Sequence, residues 1–157
     1  MKKIIKLNVN GETYEVNVEV HSSLLEVLRG QLNYTGVKQG CDGTGECGTC
    51  TVLINGKPVY SCLLLAVEAD GCNITTIEGL AKGDKLHSIQ EAFMQTGALQ
   101  CGFCTPGMIL TTKALLEENP RPTLQDIGKA LEGNLCRCTG YTKIFEAVQI
   151  ASKRGGD

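Results

Sequence analysis

Two short stretches decide how this chain is built: Gln100-Cys101-Gly102-Phe103-Cys104-Thr105-Pro106-Gly107-Met108 and Asn134-Leu135-Cys136-Arg137-Cys138-Thr139-Gly140-Tyr141. Each sets a pair of cysteines directly ahead of a helix start. Thr105 is a candidate N-cap with Pro106 at the first helical position, where a missing N–H costs nothing. The second pair stands ahead of a helix expected from about Lys143 to Lys153. A helix N-terminus offers the positive end of the peptide dipoles, which favours an anionic, thiolate-ligated group beside it. The C-x2-C…C-x-C spacing is unusual for zinc, because the tight C-x-C arm is rare there.

Around these stretches the sequence reads as helical. Ser88-Ile89-Gln90-Glu91 has capping-box spacing, and the helix at Thr105 should run to Glu118, where Asn119-Pro120 stops it. Thr123-Leu124-Gln125-Asp126 opens the next helix, which should end near Gly133. Four helices with short connections imply a small bundle. Upstream, Thr75 to Lys85 holds two glycines and mixed charge and reads as a connector.

The first half reads mostly as strand. Ile4–Val9 and Tyr14–Val20 alternate apolar and polar residues around Asn10-Gly11, a strong hairpin signal. Ser23-Leu24-Leu25-Glu26 opens a short helix with Leu24, Leu25, Leu28 and Leu32 on its buried side. After a glycine-rich loop, Thr51–Ile54 and Val59-Tyr60 are strands joined by Asn55-Gly56. This order suits a small mixed sheet packed on one helix.

That glycine-rich loop carries Cys41, Cys47 and Cys50, with Cys62 further on. The arrangement approaches the plant-type ferredoxin pattern, C-x4-C-x2-C and a distant fourth cysteine, but five residues separate Cys41 from Cys47. A [2Fe–2S] cluster needs converging thiolates and backbone N–H groups turned toward sulfur, and glycine adopts the positive φ angles such a loop demands. A zinc site remains open for this half, since C-x2-C fits zinc as readily as iron; the glycine-rich loop favours the cluster. His21 and His87 lie outside both motifs and read as surface or turn residues.

Nine cysteines in 157 residues is the compositional outlier. The count is odd, so disulfides could not use every one, and in a reducing compartment metal is the expected reading. Cys72 belongs to neither group and reads as a packed thiol, like Phe103 and Met108 among the apolar packing residues. Met1-Lys2-Lys3-Ile4-Ile5 opens like a signal peptide, but Lys6, Asn8 and Asn10 break the apolar stretch, so it reads as a first strand of a cytoplasmic protein. With a net charge of −2 and no basic stripe, nucleic acid is not an expected partner. The sequence has no apolar run long enough to span a membrane.

The segments GCDGTGECGTCTV, QCGFCTPGMIL and GNLCRCTGY together resemble the iron–sulfur component of the xanthine oxidase family of molybdenum hydroxylases. The resemblance covers essentially the whole chain. It implies an α+β fold: a plant-type ferredoxin-like (β-grasp) domain over residues 1–76, a connector over 77–86 and a four-helix bundle over 87–157. It implies one [2Fe–2S] cluster on Cys41, Cys47, Cys50 and Cys62, and another on Cys101, Cys104, Cys136 and Cys138. By motif position Cys138 and Gln100 would also contact the pterin of a partner. Arg137, between two ligands, would raise the cluster potential or face a partner carboxylate.

The resemblance further implies a large subunit with molybdopterin and a medium subunit with FAD. This chain would relay electrons from the molybdopterin centre to FAD or another acceptor, with the substrate, a purine or other N-heterocycle, bound elsewhere. No acid–base dyad, activated nucleophile or dinucleotide fingerprint is present to handle a substrate on this chain. Two other functions compete: a free-standing two-cluster electron carrier, and a zinc-stabilised interaction module without redox activity.

Overall fold

The computed structural model describes residues 1–155. Strands β1 (Lys2–Val9) and β2 (Glu12–Glu19) pair antiparallel from Lys2↔Glu19 to Val9↔Glu12. Asn10 and Gly11 both take positive φ, 53° and 87°, which matches the twist a two-residue hairpin needs. The alternation in sequence becomes alternation in burial: Ile5, Leu7 and Val9 point into the core while Ile4 is exposed.

Strands β3 (Thr51–Ile54) and β4 (Lys57–Tyr60) form the second hairpin across Asn55-Gly56. A fifth strand, β5 (Asn73–Thr75), joins the two hairpins: it is parallel to β1 and antiparallel to β3. The sheet order is β2-β1-β5-β3-β4. No strand is legible in the sequence at Asn73–Thr75. Three residues show too little periodicity, and their role comes from partners far away in the chain.

One face of the sheet is covered by α1 (Leu24–Glu26), which continues as a π-helical turn over Val27–Gln31. Its capping box is the expected one: Ser23 Oγ accepts from Glu26 N, and Glu26 reaches back to Ser23 N. Leu24, Leu25 and Leu28 are buried as expected, Val27 joins them, and Leu32 packs at the margin.

The second half holds α2 (Ser88–Thr96), α3 (Thr105–Glu118), α4 (Leu124–Leu131) and α5 (Thr142–Lys153). On α5, Ile144, Ala147, Val148 and Ala151 are buried, the i, i+3, i+4, i+7 stripe of an amphipathic helix. They meet Phe93 of α2, Met108 and Leu110 of α3, and Ile127 and Leu131 of α4 in one core. Leu53 of β3 belongs to this core too, and α3 packs against β3 and β4. The sheet and helices therefore share a seam along α3.

Two helix starts differ from expectation. The N-cap of α2 is His87, not Ser88: His87 Nδ1 accepts from Ile89 N at 3.2 Å, and Gln90 Oε1 accepts from His87 N at 2.9 Å. The box is shifted by one residue because an imidazole nitrogen does the work usually given to a hydroxyl. On α3 the N-cap is Cys104, so Thr105 is already helical, with Pro106 following it inside the first turn. Thr123 and Asp126 cap α4 as expected, with Thr123 Oγ1 3.2 Å from Asp126 N.

Candidate metal centres

The loop before β3 brings three cysteines to a fourth that follows β4. Its first turn is tight: Asp42 and Gly43 have φ of 54° and 87°, and Thr44 N donates to Cys41 O at 3.2 Å. This turn takes up the residues between Cys41 and Cys47. The Cys41 thiol consequently still reaches the Cys47 side chain and backbone N–H. The Cys50 thiol and the Gly45 N–H both lie close enough to Cys62 to shift its acidity, in opposite directions, and Cys41 acts on it electrostatically as well.

The second group is built from two helix starts. Cys104 caps α3, and the loop ahead of α5 carries Cys136 and Cys138. Cys138 Sγ lies 3.6 Å from Cys101 Sγ, and the Cys104 thiol has Cys136 and Cys101 as its electrostatic neighbours. Tyr141 is held at a left-handed φ of 68°, which returns its hydroxyl to accept from Cys136 N at 2.9 Å. That strained residue thereby fixes the turn bearing both thiols.

Each group thus gathers four thiols. Four cysteine thiolates are the donor set a [2Fe–2S] cluster takes, and the glycine-rich loop of the first group and the C-x-C arm of the second suit it better than a structural zinc site. The donor chemistry fits a two-iron cluster in each group.

The surroundings of the thiols are polarised. Cys41 is lowered to about 6, first by the Thr44 hydroxyl and then by the Cys47 N–H. Burial pushes Cys62 up to about 12, helped by the Cys50 thiol, and burial pushes Cys104 up to about 12, helped by Cys136. For Cys136 burial works upward but is outweighed by the Thr139 hydroxyl and N–H, so the net shift is downward. Hydrogen-bonding to Cys101 raises Cys138. Iron bound here would take these groups as thiolates, and its positive charge would offset the cost of burying them.

Hydroxyl groups meet sulfur in both groups. Thr49 Oγ1 is 3.2 Å from Cys47 Sγ, and Thr139 Oγ1 is 3.1 Å from Cys136 Sγ. Neither threonine stood out in sequence, although each is one or two residues from a cysteine.

The two groups also touch through backbone and polar contacts. Leu135 N donates to Cys47 O at 2.9 Å, and Tyr60 OH donates to Gly133 O at 2.7 Å. Asn134 bridges the same region and is 3% exposed.

The other singled-out residues sit as follows. Gln100 and Arg137 are exposed beside the second group. Cys72 is half-buried outside both groups, its N–H on Ala69 O and its carbonyl accepting from Asn8 N. Met108 is fully buried, as its packing role requires. Phe103 is not: it is 44% exposed and lies over Gly40 at the start of the first cysteine loop. His21 is exposed, and His87 caps α2.

Comparison with known proteins agrees with this geometry. A family model described as "2Fe-2S iron-sulfur cluster binding domain" matches residues 7–74, and one described as "[2Fe-2S] binding domain" matches residues 76–149. The chain is 52% identical to the nicotinate dehydrogenase small FeS subunit of Eubacterium barkeri over 155 residues, covering 98% of each. It is 48% identical to the xanthine dehydrogenase iron-sulfur-binding subunit of Escherichia coli O157:H7, covering 95% of this chain and 94% of that one. The crystal structure of quinoline 2-oxidoreductase from Pseudomonas putida 86 contains a chain that matches with a TM-score of 0.93 at 44% identity, covering 99% of both.

The two family models, one on each half of the chain, and the relatives, which match along nearly all of it, define a [2Fe–2S] protein of an oxidoreductase complex. The chain belongs to the family of iron–sulfur subunits of molybdenum hydroxylases of the xanthine oxidase/dehydrogenase type, and its function is electron transfer.

Proposed function

We propose that Cys41, Cys47, Cys50 and Cys62 hold one [2Fe–2S] cluster and that Cys101, Cys104, Cys136 and Cys138 hold the second. The chain would accept electrons from a molybdopterin centre on a large partner subunit at the helical cluster. It would pass them to the sheet-side cluster, and from there to FAD on a medium partner subunit or to another acceptor. Each cluster carries one electron at a time; the residues of this chain hold it, shield it and aim donors at its sulfurs.

The observation that carries the direction is the exposure of Cys101 and Cys138. Both thiols are exposed, whereas no cysteine of the first group is. Beside them lie exposed Gln100 and the apolar side chains of Leu99, Phe103 and Leu135. Such a patch suits a partner that buries it, with Gln100 and Cys138 in reach of the pterin. On this reading residues 1–76 form a ferredoxin-like (β-grasp) domain, 77–86 a connector, and the rest a four-helix bundle; Gly156 and Asp157 lie outside the described residues.

The substrate of the complex would be a purine or another N-heterocycle, as the names of the three relatives suggest. No described helix is long and apolar enough to cross a membrane, which is consistent with a cytoplasmic complex.

Metal analysis of the purified complex tests the assignment. About four irons and four acid-labile sulfides per chain are expected, with two distinct paramagnetic signals on reduction. Zinc in their place would leave the interaction-module reading standing. Purification without a large molybdenum protein would favour the free-standing carrier.

A further inference from the structure

The seam between the two cysteine loops is held by one buried amide. Asn134 lies two residues before Cys136, and Gly48 lies directly after Cys47. Asn134 Nδ2 donates to Gly48 O at 2.9 Å and to Thr51 Oγ1 at 3.2 Å. Its Oδ1 accepts from Thr111 Oγ1 at 2.7 Å. One side chain therefore ties the first loop, β3 and α3 to the segment that leads into the second loop. A buried amide bonded at both ends has one orientation, since any rotation would strand a donor or an acceptor.

The backbone around it is cut to fit. A Cβ on Gly48 would come within 2.5 Å of Asn134 Nδ2 and 2.2 Å of Gly133 O. A Cβ on Gly107 would come within 2.6 Å of Gly48 O. Both glycines let the chain approach the amide more closely than any other residue would allow. Asn134 bears no thiol and no charge, so nothing in cluster ligation requires it.

We propose that Asn134 is the positioning residue that sets the separation of the two clusters, by fixing Gly48 and β3 against the segment entering Cys136. This rests on the two-cluster reading above. The magnetic interaction between two unpaired spins falls with the cube of their separation, and electron tunnelling falls exponentially. A small shift at this seam would be visible in both.

The test uses the purified complex, fully reduced with dithionite, and low-temperature paramagnetic resonance of the spin–spin splitting between the clusters. Asn134→Asp keeps the shape of the side chain but replaces two N–H donors with an acceptor facing Gly48 O. The expected result is both cluster signals at full intensity with the mutual splitting changed from the wild-type value and intercluster electron transfer slowed. Thr111→Val removes only the donor to Asn134 Oδ1 and should change the splitting less; it also decides the matter if Asn134→Asp does not assemble. Asn10→Asp removes a comparable donor, Asn10 Nδ2 to Thr76 Oγ1, at the β1–β2 turn. It should leave the splitting unchanged. Wild-type splitting in Asn134→Asp or, failing its assembly, in Thr111→Val, with both signals intact, would overturn the proposal. A wild-type complex with zinc or a single cluster signal would overturn the functional reading, and this inference with it.

Discussion

The two cysteine groups solve one chemical problem with different backbones. The first uses a loop between a helix and a strand, bent by positive-φ residues until its thiols reach Cys62, which follows β4. The second uses the ends of two helices, so its thiols sit where the helix dipoles are positive. The loop encloses its sulfurs, with Cys50 buried and the others half-buried; the helix ends leave Cys101 and Cys138 at the surface. A loop can wrap around what it holds, whereas a helix terminus can only point at it. The outward-facing group is thus the natural contact with a partner, and the enclosed one is better shielded from water.

Breaking one group at a time would test this contrast most strongly. Cys104→Ser should abolish the signal of the second cluster and remove about two irons while the first signal persists, and Cys50→Ser should do the reverse. Iron content and resonance spectra of both variants check this. Loss of both signals from either variant would mean that the groups do not assemble independently.

A smaller effect separates the enclosed seam from the open loop tip. Gly48 and Gly43 both have positive φ, so an alanine at either costs about 1–2 kcal/mol of left-handed strain. At Gly43 a Cβ meets nothing within 4 Å, while at Gly48 it meets Gly133 O at 2.2 Å. Overpacking there adds about 1–3 kcal/mol. Thermal unfolding should therefore place Gly48→Ala below Gly43→Ala by roughly 2–12 °C, given about 2–4 °C per kcal/mol in a chain of this size. Equal melting temperatures would show that the seam yields freely.

The finest prediction concerns tuning. Thr49→Val and Thr139→Val each remove one hydroxyl near a sulfur, at Cys47 and Cys136 respectively. A hydroxyl donating to sulfur favours the more negative, reduced cluster, so each variant should lower the potential of its own cluster and leave the other unchanged. Potentiometric titration followed by resonance spectroscopy resolves the two. A shift in the wrong cluster would reverse the assignment of threonines to sites.

Much of this was legible from sequence where the signal was local. The hairpins at Asn10-Gly11 and Asn55-Gly56, the boxes at Ser23 and Thr123, and the stop at Asn119 depend on residues within one or two turns of each other. So does the spacing of the cysteines, and three family-like segments pointed to the family. Sequence places the α2 cap one residue late because histidine is an uncommon cap, and it suggests Thr105 as a cap although the chain begins α3 one residue earlier. Phe103 reads as a packing residue, and what sequence does not show is that it packs while partly exposed, over Gly40 of the other half of the molecule.

The sequence alone therefore determined the elements, the two sets of thiols and the class of chemistry they suit, because caps, turns and ligand spacing are short-range constraints. Only the tertiary structure brought together thiols far apart in the chain: Cys101 Sγ lies 3.6 Å from Cys138 Sγ, and Cys62 has Cys50 and Cys41 as its neighbours. It also decided that β5 lies between β1 and β3 and that Asn134 reaches a carbonyl 86 residues earlier in the chain. Such contacts carry no local periodicity. They exist because packing α3 on the sheet leaves buried donors and acceptors that must find each other.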